Sequence, residues 1–275
     1  MDSLRAVAQW PVDNVAVAVV DASGRPLGSY GPMDRPFQLA SVTKLLSAYG
    51  VLIAVEEGAL DWDQPAGPEG STVRHLIAHS SGLAFEEHKV QAQPGSRRIY
   101  SSAGFEVLAE EVHRSSGIPF DKYLDEAVFG PLGMSATQLV GSAGAGAVST
   151  CGDLVPFAAE LQAPRLIDER TLAEARTVEF SGLDGVVPGF GMQRPCDWGL
   201  GFEIRGHKSP HWTGANSSPE TFGHFGQSGT FLWVDPVAAA ACIALADRDF
   251  GDWAKQAWPP FTDAVLADLA RARPT

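Results

Sequence analysis

Lysine is scarce in this chain, five in 275 residues, and acidic side chains outnumber basic ones 33 to 20. The formal charge of −13 argues against a nucleic-acid or anionic-membrane surface, where a basic face would be needed, so neither partner is expected. Cysteine is scarcer still. Cys151, Cys196 and Cys242 are odd in number and irregularly spaced, which speaks against a disulfide framework or a metal cluster and predicts buried, reduced thiols. Residues Met1 to Trp10 contain no apolar signal-peptide core, and no stretch approaches the length of a membrane span; the expected location is cytoplasmic. Internal repeats and low-complexity linkers are also missing. What is present is 45% hydrophobic residues, enough to bury a sizeable core in one or two lobes.

Three short motifs follow one another in the chain: Ser41-Val-Thr-Lys44, Tyr100-Ser-Ser102 and His224-Phe-Gly226. A serine three residues before a lysine at the start of a helix puts a hydroxyl and an amine one turn apart on one face. Serine is a weak nucleophile at its free pKa, and a partly desolvated lysine or a tyrosinate within reach would activate it. Phe37 to Ala40 reads as extended, and Leu45, Leu46, Tyr49, Leu52 and Ile53 recur at helical spacing until Gly58. Ser41 therefore falls at a strand-to-helix junction, where free backbone N–H groups suit an oxyanion. Read alone, Ser41 would be an N-cap and Tyr100 a core aromatic; the ordered company of the other motifs favours a site.

These residues resemble the serine beta-lactamase-like superfamily, in particular class C beta-lactamases and penicillin-binding-protein-like esterases and D-peptidases. The likeness extends to His75-Leu-Ile-Ala-His79-Ser-Ser-Gly-Leu83, Pro94-Gly95, Phe129 to Met134, Gly144 to Thr150 and Gly229 to Pro236. It implies Ser41 as the acylated nucleophile, Lys44 as its partner and Tyr100 as base or proton shuttle, with backbone N–H groups of Ser41 and Gln227 as the oxyanion hole. Ser102, His224 and Gly226 fall in the substrate-binding motifs. Two departures matter. Ser102 stands where the better-known enzymes carry asparagine, and His224 stands where many relatives carry the lysine of Lys-Thr-Gly, which replaces a permanent cation by a largely neutral group.

The predicted fold is α+β, of the beta-lactamase/transpeptidase type. Val15 to Val20 reads as a strand, and further extended runs come only near the other end, at Thr230 to Val234 and Ala239 to Ala246, before a closing amphipathic helix over Ala254 to Ala272. Helices are also read at Ala103 to Ser116 and Phe120 to Val128. The resemblance implies an antiparallel sheet built from both termini, with an α/β lobe over residues 1-40 and 198-275, a mainly helical lobe over 41-197, and the active site between them.

The pairs His75/His79 and His207/His211 have i, i+4 spacing, but no glutamate follows His75 and no third ligand is evident, so neither a metal nor a cofactor is expected. Gly144 to Gly146 lacks a following Lys-Ser/Thr and reads as a plain loop. The expected activity is that of a serine hydrolase working through an acyl-enzyme on a small-molecule ester. A beta-lactamase, a D-amino-acid amidase or peptidase, and a non-catalytic binding module on the same scaffold are the alternatives.

Overall fold

The computed structural model describes residues 1–272; the final three residues of the segment 198-275 lie outside the described residues. In chain order the strands are β1 (Val15–Val20), β2 (Pro26–Tyr30), β3 (Pro36–Gln38), β4 (Gln138–Leu139), β5 (Ala147–Thr150), β6 (Gly185–Val187), β7 (Gly191–Gln193), β8 (Glu203–Ile204), β9 (Phe222–Gly226), β10 (Thr230–Asp235) and β11 (Ala240–Ala246). The helices are α1 (Thr43–Glu56), α2 (Val73–Ile77), α3 (Ser102–Ser116), α4 (Phe120–Leu124), α5 (Gly130–Leu132), α6 (Cys151–Glu160), α7 (Glu169–Ala175) and α8 (Asp252–Ala272).

The main sheet runs β2-β1-β11-β10-β9-β8 with antiparallel pairings, so strands from both ends of the chain meet at its centre, where Val15 pairs with Ala246. Its central strands β1, β11, β10 and β9 are buried at every position because both faces are covered. Side chains alternate across a strand, so Ala16, Ala18 and Val20 of β1 join the core around α1, while Val15, Val17 and Val19 join a second core with Trp258, Phe261 and Val265 of α8. Leu232 and Val234 against Phe231 and Trp233 divide β10 the same way. Two-sided burial explains why β1 and β11 are unbroken apolar runs and why β10 is apolar from Phe231 to Val234. All three cysteines are free and buried.

The expectation that extended runs lie only near the two ends needs correction. A three-stranded sheet, β3-β5-β4, and a hairpin, β6-β7, occupy the middle of the chain, and β2 forms an edge of the main sheet. These strands are two to five residues long and have little apolar alternation, so pairing with distant partners defines them rather than local pattern. The turn of helix read at Phe120 to Val128 is α4 followed by a π-helical turn, Asp125–Phe129.

Helix α1 is buried on all sides from Thr43 to Ala54, packed among α3, α4 and β9. A helix that is apolar all round belongs inside a domain, and this one takes Lys44 in with it. Among the described residues, no helix is long and apolar enough to cross a membrane.

Candidate active site

Strand β3 ends one residue before Leu39, and the chain then turns sharply into a 3-10 turn, Ala40–Val42, from which α1 departs. Ala40 has φ 45°, a left-handed conformation that a residue with a Cβ adopts at a cost. The corner is held from several sides. Thr230 Oγ1 donates to the Leu39 carbonyl at 2.8 Å, Ser228 Oγ to the Gln38 carbonyl at 2.6 Å, and Leu39 N–H to the Ala147 carbonyl at 2.9 Å. Gly226 has to be glycine here, since a Cβ would lie 2.3 Å from the Leu39 oxygen and 2.5 Å from Thr230 Oγ1. Ser41 thus stands at the end of a braced turn. Among the described residues, its backbone N–H and that of Gln227 donate to no backbone carbonyl.

The Lys44 side chain is buried and reaches Ser41 Oγ at 3.4 Å, Ser102 Oγ at 3.0 Å and the Gly144 carbonyl at 2.8 Å. The 3.4 Å contact is long, as such contacts often are before substrate tightens a site. Nζ also lies 4.5 Å from the Tyr100 ring centroid and 5.6 Å from that of Phe105. No carboxylate forms an ion pair with it among the described residues. Burial therefore pulls the amine down to about 7, opposed only by the Glu106 charge.

Tyr100 precedes α3, whose N-cap Ser101 accepts from Gly104 N–H and donates to the Ala84 carbonyl. Its ring stacks on Phe85 at 5.6 Å and packs on His79, Trp198 and His224. The hydroxyl is shielded and has no hydrogen-bond partner of good geometry among the described residues. Burial raises its pKa far above the ordinary range; the neighbouring Ser41 hydroxyl opposes that only in part.

His224 lies in β9, buried behind Tyr100. Its Nδ1 is 2.6 Å from the Phe225 carbonyl, which can only accept, so Nδ1 carries the proton and Nε2 is a bare acceptor without a partner among the described residues. Burial first, and then Lys44, depress its pKa to about 3. The imidazole is therefore neutral at physiological pH. His79, past the end of α2 at φ 55°, has the opposite tautomer, because its Nδ1 accepts from Ser101 N–H at 3.1 Å. It does not share a helix face with His75.

A cleft of about 780 Å3 opens onto Ser41, Tyr100, Ser102 and Gln227. His224 and Gly226 lie behind this wall rather than in it. Phe85, Ile99, Ala103, Val186 and Pro188 give the cleft apolar sides, while Glu86, Glu106, Arg97 and Arg98 supply its charge, the Arg98 guanidinium being tied to the Ala78, Cys196 and Glu179 carbonyls. Sequence reasoning singled out none of these. Glu106 had a usable signal, since it follows Ser102 by one helical turn, whereas the Gly144 carbonyl meets Lys44 across 100 residues with no local sign. The glycine segment read as a plain loop is thus part of the amine's surroundings.

The fold is of the beta-lactamase/transpeptidase type. A family model described as Beta-lactamase matches residues 12–267, and the chain belongs to that family. The crystal structure of a beta-lactamase from Mycobacterium bovis superposes with a TM-score of 0.96 at 56% identity, covering 97% of this chain and 99% of that one. A mutant of simvastatin synthase from Aspergillus terreus shares the fold at TM-score 0.80 and 17% identity, over 98% of this chain and 94% of that one. Penicillin-binding protein 4* of Bacillus subtilis is 26% identical over 136 residues, which is 38% of this chain and 30% of that protein. The chain spans between 30% and 54% of the first curated relatives it matches.

Proposed function

We propose that the protein hydrolyses small carboxylic esters through an acyl-enzyme on Ser41. The observation that carries this reading is a buried amine 3.4 Å from the hydroxyl of a serine that lines a cleft, and burial pulls that amine's pKa down to about 7. Neutral Lys44 accepts the Ser41 proton as Oγ attacks the carbonyl, and the free N–H groups of Ser41 and Gln227 receive the oxyanion. Tyr100, with its pKa raised, enters as a neutral phenol that gives its proton to the leaving oxygen and takes the one held by Lys44 in return. Water, giving a proton to neutral Lys44, then attacks the acyl-enzyme, and that proton returns to Ser41 Oγ as the acid leaves.

Preference for an ester over a lactam follows from His224. A lysine there would grip a substrate carboxylate by full charge; a neutral, buried imidazole does not. The apolar sides of the cleft suit an uncharged acyl or alcohol group. A second reading, lactam hydrolysis, is favoured by Arg97, a cation in the cleft lining, and by the printed name of the Mycobacterium bovis relative.

Labelling with a fluorophosphonate followed by intact mass should show one adduct, lost in Ser41→Ala, and Ser41→Ala should lower ester turnover by several orders of magnitude without moving the melting temperature. At pH 7.5, kcat/KM for a short-chain p-nitrophenyl ester should exceed that for a penicillin by about 10²-fold. Equal rates on both, with the penicillin rate alone falling in Arg97→Gln, would put the lactam reading first.

A further inference from the structure

We propose that Glu106 is a positioning residue for Lys44, tying the loop 141–146 to α3 so that the Gly144 carbonyl stays on the amine, and presenting its own charge to that amine. This rests on the reading of Ser41 and Lys44 as the reacting pair. The contacts form one chain. Ser142 Oγ donates to Glu106 Oε1, Gly144 N–H donates to Ser142 Oγ at 3.1 Å, and Lys44 Nζ donates to the Gly144 carbonyl at 2.8 Å.

The loop needs such a hold. Glycines at 141, 144 and 146 give it little conformational preference of its own. From α1, Ser47 Oγ secures the Ala143 carbonyl at 2.6 Å and Lys44 itself secures Gly144. Glu106 supplies the tether from α3. Its seat on the same helical face as Ser102, four residues earlier, sets both acceptor arrangements on Lys44 from one rigid element, because Ser102 Oγ takes the amine at 3.0 Å.

The charge has a separate, readable effect. The titratable groups facing Lys44 are Glu106 from α3, Tyr100 from the segment before it, His79 from beyond α2 and His224 from β9. Burial keeps both imidazoles neutral and Tyr100 protonated, so Lys44 is the member of this cluster that titrates near neutrality. Glu106 is what opposes the burial of the amine. Without that charge Lys44 loses its proton at lower pH, and the acid limb of kcat/KM moves down.

The test is the pH profile of kcat/KM on a neutral p-nitrophenyl ester for wild type, Glu106→Gln, Ser142→Ala and Glu106→Asp, each first shown to melt like wild type. Glu106→Gln should lower the plateau about three- to tenfold and move the acid limb down by about 0.5–1 pH unit, the scale of one partly solvated charge. Ser142→Ala should lower the plateau with the limb in place, because the charge remains. Glu106→Asp should return the limb to its wild-type position. An unmoved or upward-moving limb in Glu106→Gln, or an unchanged plateau in both Glu106→Gln and Ser142→Ala, overturns the inference. If turnover depends on Ser41 and Lys44 in those experiments, the failure is that of Glu106 alone; if it survives Ser41→Ala, the underlying pair is wrong.

Discussion

Two of the five lysines are buried, and the difference between their surroundings that matters most is a carboxylate. Lys208, between β8 and β9, donates to the carbonyls of Asp197 and Ile204 and lies 3.5 Å from Glu203 Oε1. Glu203 in turn accepts from His211 Nε2 at 3.2 Å and from the Trp212 indole at 2.7 Å. Burial alone would raise the Glu203 carboxyl, but Lys208, His211 and Trp212 outweigh it and hold the group down to about 2. Lys44 has two hydroxyls, one carbonyl and two ring faces and, among the described residues, no carboxylate in contact. Burial by itself does not make an amine reactive. In the proposed mechanism it is burial beside a cleft, with no carboxylate in direct contact to fix the proton, that does.

The largest test of this contrast is Lys44→Met. Losing the proton acceptor should lower kcat for a neutral ester by about 10²–10⁴-fold, the range of general acid–base contributions. Stability should hold or rise. With a folded pKa near 7 against an ordinary 10.5, wild type gains stability as pH climbs between those values, so any advantage of Lys44→Met is greatest below pH 7 and fades toward pH 10.5. Thermal melts at pH 6, 8 and 10 read this directly.

Lys208→Met is the opposite experiment. It strands Glu203 in the core without its cation, which should cost about 3–5 kcal/mol of stability while leaving turnover per folded molecule within a few-fold of wild type. Adding Glu203→Gln should return part of the loss, because the pair is then removed together. Loss of turnover in a stable Lys208→Met protein would break the comparison.

How much of this was legible depended on distance along the chain. Ser41 and Lys44 are three residues apart and α1 repeats its apolar positions every turn, so the proposed nucleophile, the amine and the helix announce themselves locally. Strands β1, β10 and β11 were readable because both of their faces are buried. Strand β3 was not fully so: three residues pair Phe37 with Ser149, and that partner cannot be seen from Phe37. The same holds for the contacts that define Lys44, which reach Ser102 across 58 residues and Gly144 across 100. His224 stood out by its place in a motif, but its burial behind Tyr100 follows from β9 packing under the cleft wall. The Glu203, Lys208 and His211 cluster gave no sequence signal, since charged residues near a chain reversal ordinarily read as surface.

The smallest expected effect sharpens the comparison from the Glu203 side. A folded pKa near 2 against an ordinary 4.5 means that the folded carboxyl releases its proton more readily than the unfolded one. The resulting stability is fully present above about pH 4.5 and is lost as pH falls toward 2. Its full size is on the order of 3 kcal/mol, of which about 2 kcal/mol should be gone by pH 3. Glu203→Gln imitates the protonated carboxyl and removes this dependence. Urea unfolding of wild type and Glu203→Gln at pH 7, 4.5 and 3 should therefore show a gap that narrows mainly in the last step. A gap of constant width would mean that the buried carboxylate does not draw its stability from charge, and that Lys208 and Lys44 differ in geometry rather than in the presence of a counter-ion.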